Sequence, residues 1–354
     1  LEEVVRQWPG YRRAYYHLGR LAFDRGDLDG AAESLEEAVE GRFPRVFSAW
    51  YYLGRTRSLK RDFTGALAAF DAALEQAPDF APALLERGRV HLFLDQLDAG
   101  SADLAASVAA SEPTRQASVL LAQLLFSFER LAEARSVAEG LSEGTQPGDR
   151  WHRRSEWLLA LADRDKDSWV TLARAFDEDA AAGDLYWALG EYYRQIDPQR
   201  TAMLLRLALD HDSENPVAWR MLRDLPLDAD QVTLPPALPG LRSTLLRADR
   251  LWEEGSYEKA GGIVKELLVA RPGLVPAHLL AAREAERQED LWRAAWIYER
   301  LLDWLGPIPG LGRRLAAVAQ TMGAEELALC GIGLARAGYP GDGALDYLQG
   351  AIEA

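Results

Sequence analysis

The sequence predicts an all-α fold, a solenoid of helix pairs stacked one on the next. Three observations point there. An aromatic residue followed by Leu-Gly recurs about every 34 residues, the apolar residues around it keep three- and four-residue spacing, and glycine or proline signals close the helices. The first unit runs Tyr15-x-x-Leu18-Gly19, turns at Gly26-Asp27-Leu28, and continues with Ala31, Leu35 and Ala38. The second is offset by 35 residues and reads Trp50-x-x-Leu53-Gly54, Asp62-Phe63, Ala66, Phe70, Ala73 and Pro78. Leu84, Gly88, Leu97, Leu104 and Pro113 follow 34 later; Leu121-Ala122, Leu125, Leu131, Ala134 and Leu141 make a fourth unit.

Later units keep the pattern. Trp151 to Phe176 holds it weakly, through Ala160, Trp169, Leu172 and Phe176, as a degenerate unit. Tyr186, Leu189-Gly190, Tyr193, Ala202 and Leu209 restore it. Ala248, Leu251, Gly255-Ser256-Tyr257, Ala260, Val264, Leu267 and Pro272 form the next. His278, Ala282, Ala285, Asp290-Leu291, Ala294, Tyr298 and Leu301 then lead to Leu315-Ala316, Ala319, Gly323, Ala328, Ile332, Ala335 and Pro340.

Each position has a physical reason. The aromatic and the Leu share one face of the first helix, and a small Ala on the second helix lets the two axes approach. A helix-interior glycine costs about 1 kcal/mol relative to Ala. Gly19, Gly54, Gly88 and Gly190 therefore mark places where a neighbouring helix leaves no room for a Cβ. Proline after the second helix, as at Pro78, Pro272 and Pro340, ends one pair and starts the next. One pair cannot bury its own apolar face, so stability comes from stacking.

With this period, the aromatic-x-x-Leu-Gly opening and the Ala66-x-x-x-Phe70 second helix, the chain resembles the tetratricopeptide repeat superfamily, and among its members the scaffold proteins of bacteria. The resemblance implies a right-handed superhelical solenoid of about nine helix pairs. It also implies that the first helices line a concave groove in which a protein partner lies.

Two departures organise the chain. After Pro216-Val217-Ala218-Trp219 a first helix begins without its partner, and Leu225-Pro226 through Pro235-Pro236-Ala237-Leu238-Pro239-Gly240 follows. A run this rich in proline reads as a strap at 225–240, dividing six units in 1–224 from the units and capping helix of 241–354. At the start, Leu1, Val4 and Pro9 have the spacing of the end of a second helix, an expectation of further repeat, signal or anchor upstream. Gly343 to Leu348 reads as the capping helix.

Composition narrows the function. The 354 residues are 48% hydrophobic, and a net charge of −15 disfavours nucleic acid as partner. No apolar run reaches 18 residues, so membrane insertion is not expected. The compartment stays open, with the cytoplasm favoured and the periplasm allowed if a signal lay upstream.

No catalytic residue, cofactor or metal site is expected. The hydrolase elbow, zinc-protease and P-loop patterns are missing. Gly331-Ile332-Gly333 starts like a dinucleotide loop, but Arg336 replaces the third glycine and no strand precedes it, so it reads as helix packing. Asp24, Asp27, Asp29 and Gly30 fail the calcium-loop spacing. Five histidines (17, 91, 152, 211, 278) fall in different units, and Asp210-His211-Asp212 reads as a solvated helix end. Cys330, the single cysteine, reads as a packed, inert thiol.

The groove read from the helical wheel carries Arg20, Arg55 and Arg89, one after each packing glycine, a ladder of one arginine per repeat. Around it come Tyr16, His17 and Phe23, then Tyr51 and Tyr52, then Leu85 and Phe93. Neighbouring helices lie about 10 Å apart and an extended peptide advances about 3.3 Å per residue, so each rung meets every third residue. Guanidinium groups capture carboxylates and tyrosines give amphipathic contact. The expected occupant is a protein or peptide segment with acidic and apolar residues; the alternative is a solvated polar face in a chain where Arg outnumbers Lys 36 to 4.

Of the binding modes that the resemblance implies, a carboxylate clamp or an asparagine ladder is not expected here, because Asn215 is the only asparagine. Trp252, Trp292, Trp296, Trp304 and Tyr298 gather near Arg283, Arg287, Arg293 and Arg300. They are expected to seal the strap and the stacking, with a second contact surface as the alternative. The role expected is an adaptor without catalysis. The alternatives are a docking or regulatory module of a larger enzyme and a component of a secretion or envelope-assembly machine.

Overall fold

The computed structural model describes residues 1–143, 145–146, 149–163, 183–226, 241–306, 308–338 and 343–353. Among them are twenty α-helices and no strand. They cluster into two compact units, Leu1–Leu141 and Ser142–Ala354.

In the first unit, α1 (Glu2–Gln7) precedes four pairs: α2 (Arg12–Asp24) with α3 (Leu28–Val39), α4 (Phe47–Leu59) with α5 (Phe63–Gln76), α6 (Ala81–Phe93) with α7 (Leu97–Ala109), and α8 (Arg115–Ser127) with α9 (Leu131–Ser142). The second unit begins with α10 (Arg150–Asp163). A pair follows, α11 (Gly183–Tyr193) with α12 (Pro198–His211), and then the lone first helix α13 (Pro216–Arg223). Three more pairs follow: α14 (Leu241–Glu253) with α15 (Tyr257–Ala270), α16 (Val275–Arg287) with α17 (Leu291–Leu305), and α18 (Pro309–Thr321) with α19 (Glu325–Gly338). The chain then forms α20 (Gly343–Glu353). Residues 227–240 of the expected strap, Pro340, and Trp169, Leu172 and Phe176 of the degenerate unit lie outside the described residues.

The turn within a pair is built one way in seven of the eight pairs, α11 with α12 being the exception. The residue just past the first helix is left-handed: Gly26 (φ 79), Gly255 (φ 76) and Gly323 (φ 69), but also Arg61, Asp95, Glu129 and Glu289. An acidic N-cap then opens the second helix. Asp27, Asp62 and Asp290 accept from the backbone N–H three residues on, at 3.0, 2.9 and 3.3 Å.

The glycine seams carry the packing. A Cβ on Gly19 would stand 2.6 Å from Leu35 Cγ, and one on Gly54 2.6 Å from Phe70 Cε1. At Gly88 the nearest atoms are Asp103 Cβ and Gly100 O at 3.2 Å, and at Gly190 Leu205 Cδ2 at 3.3 Å. Leu35 and Phe70 are fully buried in return, worth about 1.5–3 kcal/mol each. Gly331 belongs to the same class, since its Cβ would stand 2.7 Å from the Ala316 nitrogen. Among these seams the helix backbones approach most closely at Gly312 and Gly331 of α18 and α19, where no side chain intervenes.

Inside the second unit, residues far apart in sequence meet. Arg271 Nε reaches Asp210 Oδ1 at 3.1 Å, both nearly buried, and Arg200 Nη2 donates to the Asp303 carbonyl at 3.5 Å. Burial pushes the Asp210 carboxyl up against the opposing pull of Arg271. His211 stacks on Tyr186 at 5.5 Å. The expected solvated helix end at Asp210-His211-Asp212 is thereby corrected: long-range packing within the unit covers it.

Two further expectations are corrected. Cys330 is exposed, because it lies on the outer side of α19, away from the Ala328, Ile332 and Ala335 that face the core. Trp292 and Trp296 are 71% and 53% exposed and take no part in sealing the stacking, whereas Tyr298, on the opposite face of α17, is buried and donates to Glu286 Oε1; most of the strap they were expected to seal lies outside the described residues.

Candidate functional site

The residues of the expected groove all fall in the first unit, on α2, α4 and α6. Their first-helix positions follow from the glycine seam: once Gly19, Gly54 and Gly88 face the second helix, the residue after each glycine is turned aside.

The structure brings six of them together. Tyr16 of α2 lies 6.2 Å from the Tyr52 ring of α4, and Phe23 sits edge-on to Tyr52 at 5.6 Å. Tyr51 and Tyr52 meet at 5.2 Å. Arg55 lays its guanidinium over Phe23 at 4.8 Å and over Tyr51 at 6.0 Å, a cation–π stack across two repeats. Arg20 completes the cluster. Tyr16 beside it, then Tyr52, raise its already high pKa, and its Nε stands 3.9 Å from Asp24 Oδ2. His17 is half-buried at 5.0 Å from Tyr16; burial, then Arg13 and Arg20, lower its pKa and favour a neutral ring.

The three rungs are not equivalent. The arginine side chains are 50%, 27% and 11% exposed at 20, 55 and 89. Glu86 explains the gradient, since its two oxygens face Arg55 Nε at 3.8 Å and Arg89 Nη1 at 3.9 Å. It stands between the second and third rungs, where a carboxylate of a bound segment would be expected. Burial, followed by Glu86, pushes the Tyr51 phenol up to about 12. Sequence reasoning missed Glu86; its place three residues before Arg89 on one helix was the available signal.

Leu85 and Phe93 do not join the cluster. Leu85 is buried and belongs to the core of the third pair. Phe93 stacks on Phe63 of α5 at 5.7 Å, with Arg61 over both rings. The open surface is therefore Tyr16, Arg20, Phe23, Tyr52 and the exposed edge of Arg55.

Among the described residues, no three His, Cys, Asp or Glu side chains gather closely enough to hold a metal ion. Asp24, Asp27 and Asp29 are engaged with Arg20, the α3 N-terminus and Lys60 respectively. No described helix is long and apolar enough to cross a membrane.

A family model of the tetratricopeptide repeat matches residues 1–42 and 31–82, the stretch that holds Tyr16, Arg20, Tyr52 and Arg55. Over that stretch the chain is similar to the tetratricopeptide repeat family. A tetratricopeptide repeat protein from Parabacteroides merdae is 13% identical over 97% of this chain and 99% of its own, with a TM-score of 0.39. Yeast Tom70 is 16% identical over 97% of this chain and 80% of its own, with a TM-score of 0.30. A chain of the Naa15/Naa10 complex bound to HypK-THB is 16% identical over 98% of this chain and 61% of its own, at 0.31. No curated protein matches. Tetratricopeptide repeats are in general non-catalytic scaffolds for protein–protein interaction.

Proposed function

We propose that this chain is a non-catalytic adaptor that holds a segment of a partner protein against the first helices of its N-terminal repeats. The observation that carries the reading is the joined cluster of Tyr16, Phe23, Tyr52 and Arg55 with the exposed guanidinium of Arg20 at its edge. Aromatic rings give contact area at small entropic cost, and a guanidinium orients a carboxylate. The fitting segment carries a bulky apolar side chain beside an Asp or Glu, the acid meeting Arg20. Glu86 already compensates Arg55 and Arg89, so the acidic requirement concentrates at one rung. In this reading residues 225–240 act as a strap between the repeats of 1–224 and those of 241–354.

The test uses the full chain and a fluorescein-labelled 12-residue peptide alternating Leu with Asp or Glu, read by anisotropy. Arg20→Glu is expected to weaken binding by about tenfold, or 1.4 kcal/mol, with circular dichroism unchanged; Tyr52→Ala weakens it similarly. Equal binding by both variants would refute the reading.

A further inference from the structure

The geometry points to a second docking groove on this chain, between α17 and α19, that takes an amphipathic helix with basic side chains. It lies in the second unit, is walled by second helices over a first-helix floor, and is independent of the arginine-bearing face.

Residues 292, 296, 299, 300 and 303 fall at spacings of four, three, one and three along α17, one continuous exposed stripe. From Trp292 to Asp303 it extends roughly 16 Å, about three helical turns. On the other side, Leu327, Cys330 and Leu334 share one face of α19 at three- and four-residue spacing. Between the two helices lies a cavity of about 540 Å³, floored by Leu315 of α18, with Trp296, Glu299, Arg300, Leu302 and Asp303 on the α17 wall. That volume is within the range of about 300–1,000 Å³ typical of ligand sites. Two large indoles left in water beside such a cavity are costly unless something covers them.

The charge pattern selects the occupant. Among the described residues, Glu299 and Asp303 have no ion-pair partner, although they stand one turn apart on the cavity wall. Arg300 on the same wall forms no ion pair with them: its guanidinium lies over the Trp296 and Trp304 rings at 5.1 and 4.8 Å, so two carboxylates face one cation. The groove thus offers an apolar wall, an indole platform and a net negative charge, two carboxylates against one guanidinium. A helix with leucines on one stripe and Lys or Arg four residues apart beside it complements all three. An acidic helix would be repelled, and a purely apolar one would leave the two carboxylates desolvated and unpaired.

The probe is a labelled 14-residue helical Leu/Lys peptide, with Leu/Glu as its counterpart, added to the full chain. The Lys peptide is expected to bind at least about tenfold more tightly than the Glu peptide, and Trp296→Ala to weaken it about tenfold. Cys330, the only cysteine, places the site: saturating Lys peptide is expected to slow its reaction with a thiol reagent several-fold. Glu299→Lys with Asp303→Lys removes both binding and protection. Glu33→Lys with Glu75→Lys, the same charge change at exposed sites elsewhere, leaves both intact. Unchanged Cys330 reactivity under saturating peptide would overturn the inference, as would equal loss in the remote double variant. Protection of Cys330 by raising the protein concentration alone would assign the groove to a second copy and overturn it too.

Discussion

The first-helix face of residues 1–141 and the α17–α19 groove of residues 142–354 present the same kinds of group with the charges exchanged. In the first, guanidiniums lie among tyrosines, and one carboxylate, Glu86, neutralises the inner two. In the second, two carboxylates lie beside indoles, and the one arginine among them stacks on the rings without pairing with either. The difference teaches that the charge a surface offers is set by local pairing, not by the sum over the chain. A net charge of −15 agrees with the second face and says nothing of the first.

The largest expected effect comes from treating the three rungs alike. Arg89→Glu sets a second carboxylate against Glu86, whose side chain is 13% exposed, and should cost about 3 kcal/mol in denaturant unfolding. Arg55→Glu falls between, and Arg20→Glu stays within about 0.5 kcal/mol. Three equal losses would mean that burial does not grade the ladder.

Next in size is a pair of glycines two residues apart. Gly331→Ala drives a methyl into the α18 backbone and should cost about 1–3 kcal/mol. Gly333→Ala meets nothing within 4 Å, and should gain up to about 1 kcal/mol of helix propensity. The same sign at both positions would contradict the packing assigned to α18 and α19.

High pH probes the tyrosines of each unit. Tyr51 and Tyr193 are both pushed up to about 12, chiefly by burial. Above pH 10 the unfolded phenols ionise while the folded ones stay neutral. Stability should therefore fall between pH 10 and 12, and Tyr51→Phe should make the decline shallower. A phenol titrating near 10 in the folded chain would show that the Tyr51 pocket is open to water.

The smallest effect sharpens the role of Glu86. Glu86→Gln releases Arg55 and Arg89 from compensation and should tighten the acidic peptide by about threefold, at most 1 kcal/mol. Weaker binding would mean that Glu86 orients the arginines for the ligand and does not compete with it.

How far the sequence could be read follows from which contacts are local. The 34-residue period, the turns at Gly26 and Asp62, and the close approaches at Gly54 and Gly190 all depend on one pair or its neighbour, and they were legible. The exposure of Trp292, Trp296 and Cys330 was not. An apolar residue on a second helix looks the same whether the adjacent pair covers it or leaves a groove. Asp210 was misjudged for a related reason: its partner Arg271 is 61 residues away, beyond any period that the repeat supplies. Of the groove residues, Tyr16, Phe23, Tyr51, Tyr52, Arg20 and Arg55 came together as the wheel predicts. Leu85 and Arg89 are buried in the third pair, which the wheel of one helix does not reveal.

The most direct test of two oppositely charged docking faces is a competition on one protein. The full chain is titrated with the acidic Leu/Asp peptide and the basic Leu/Lys peptide, each carrying a different fluorophore. The account predicts that both bind together, that Arg20→Glu removes only the acidic one, and that Glu299→Lys with Asp303→Lys removes only the basic one. Mutual displacement, or loss of both peptides in either variant, would contradict it.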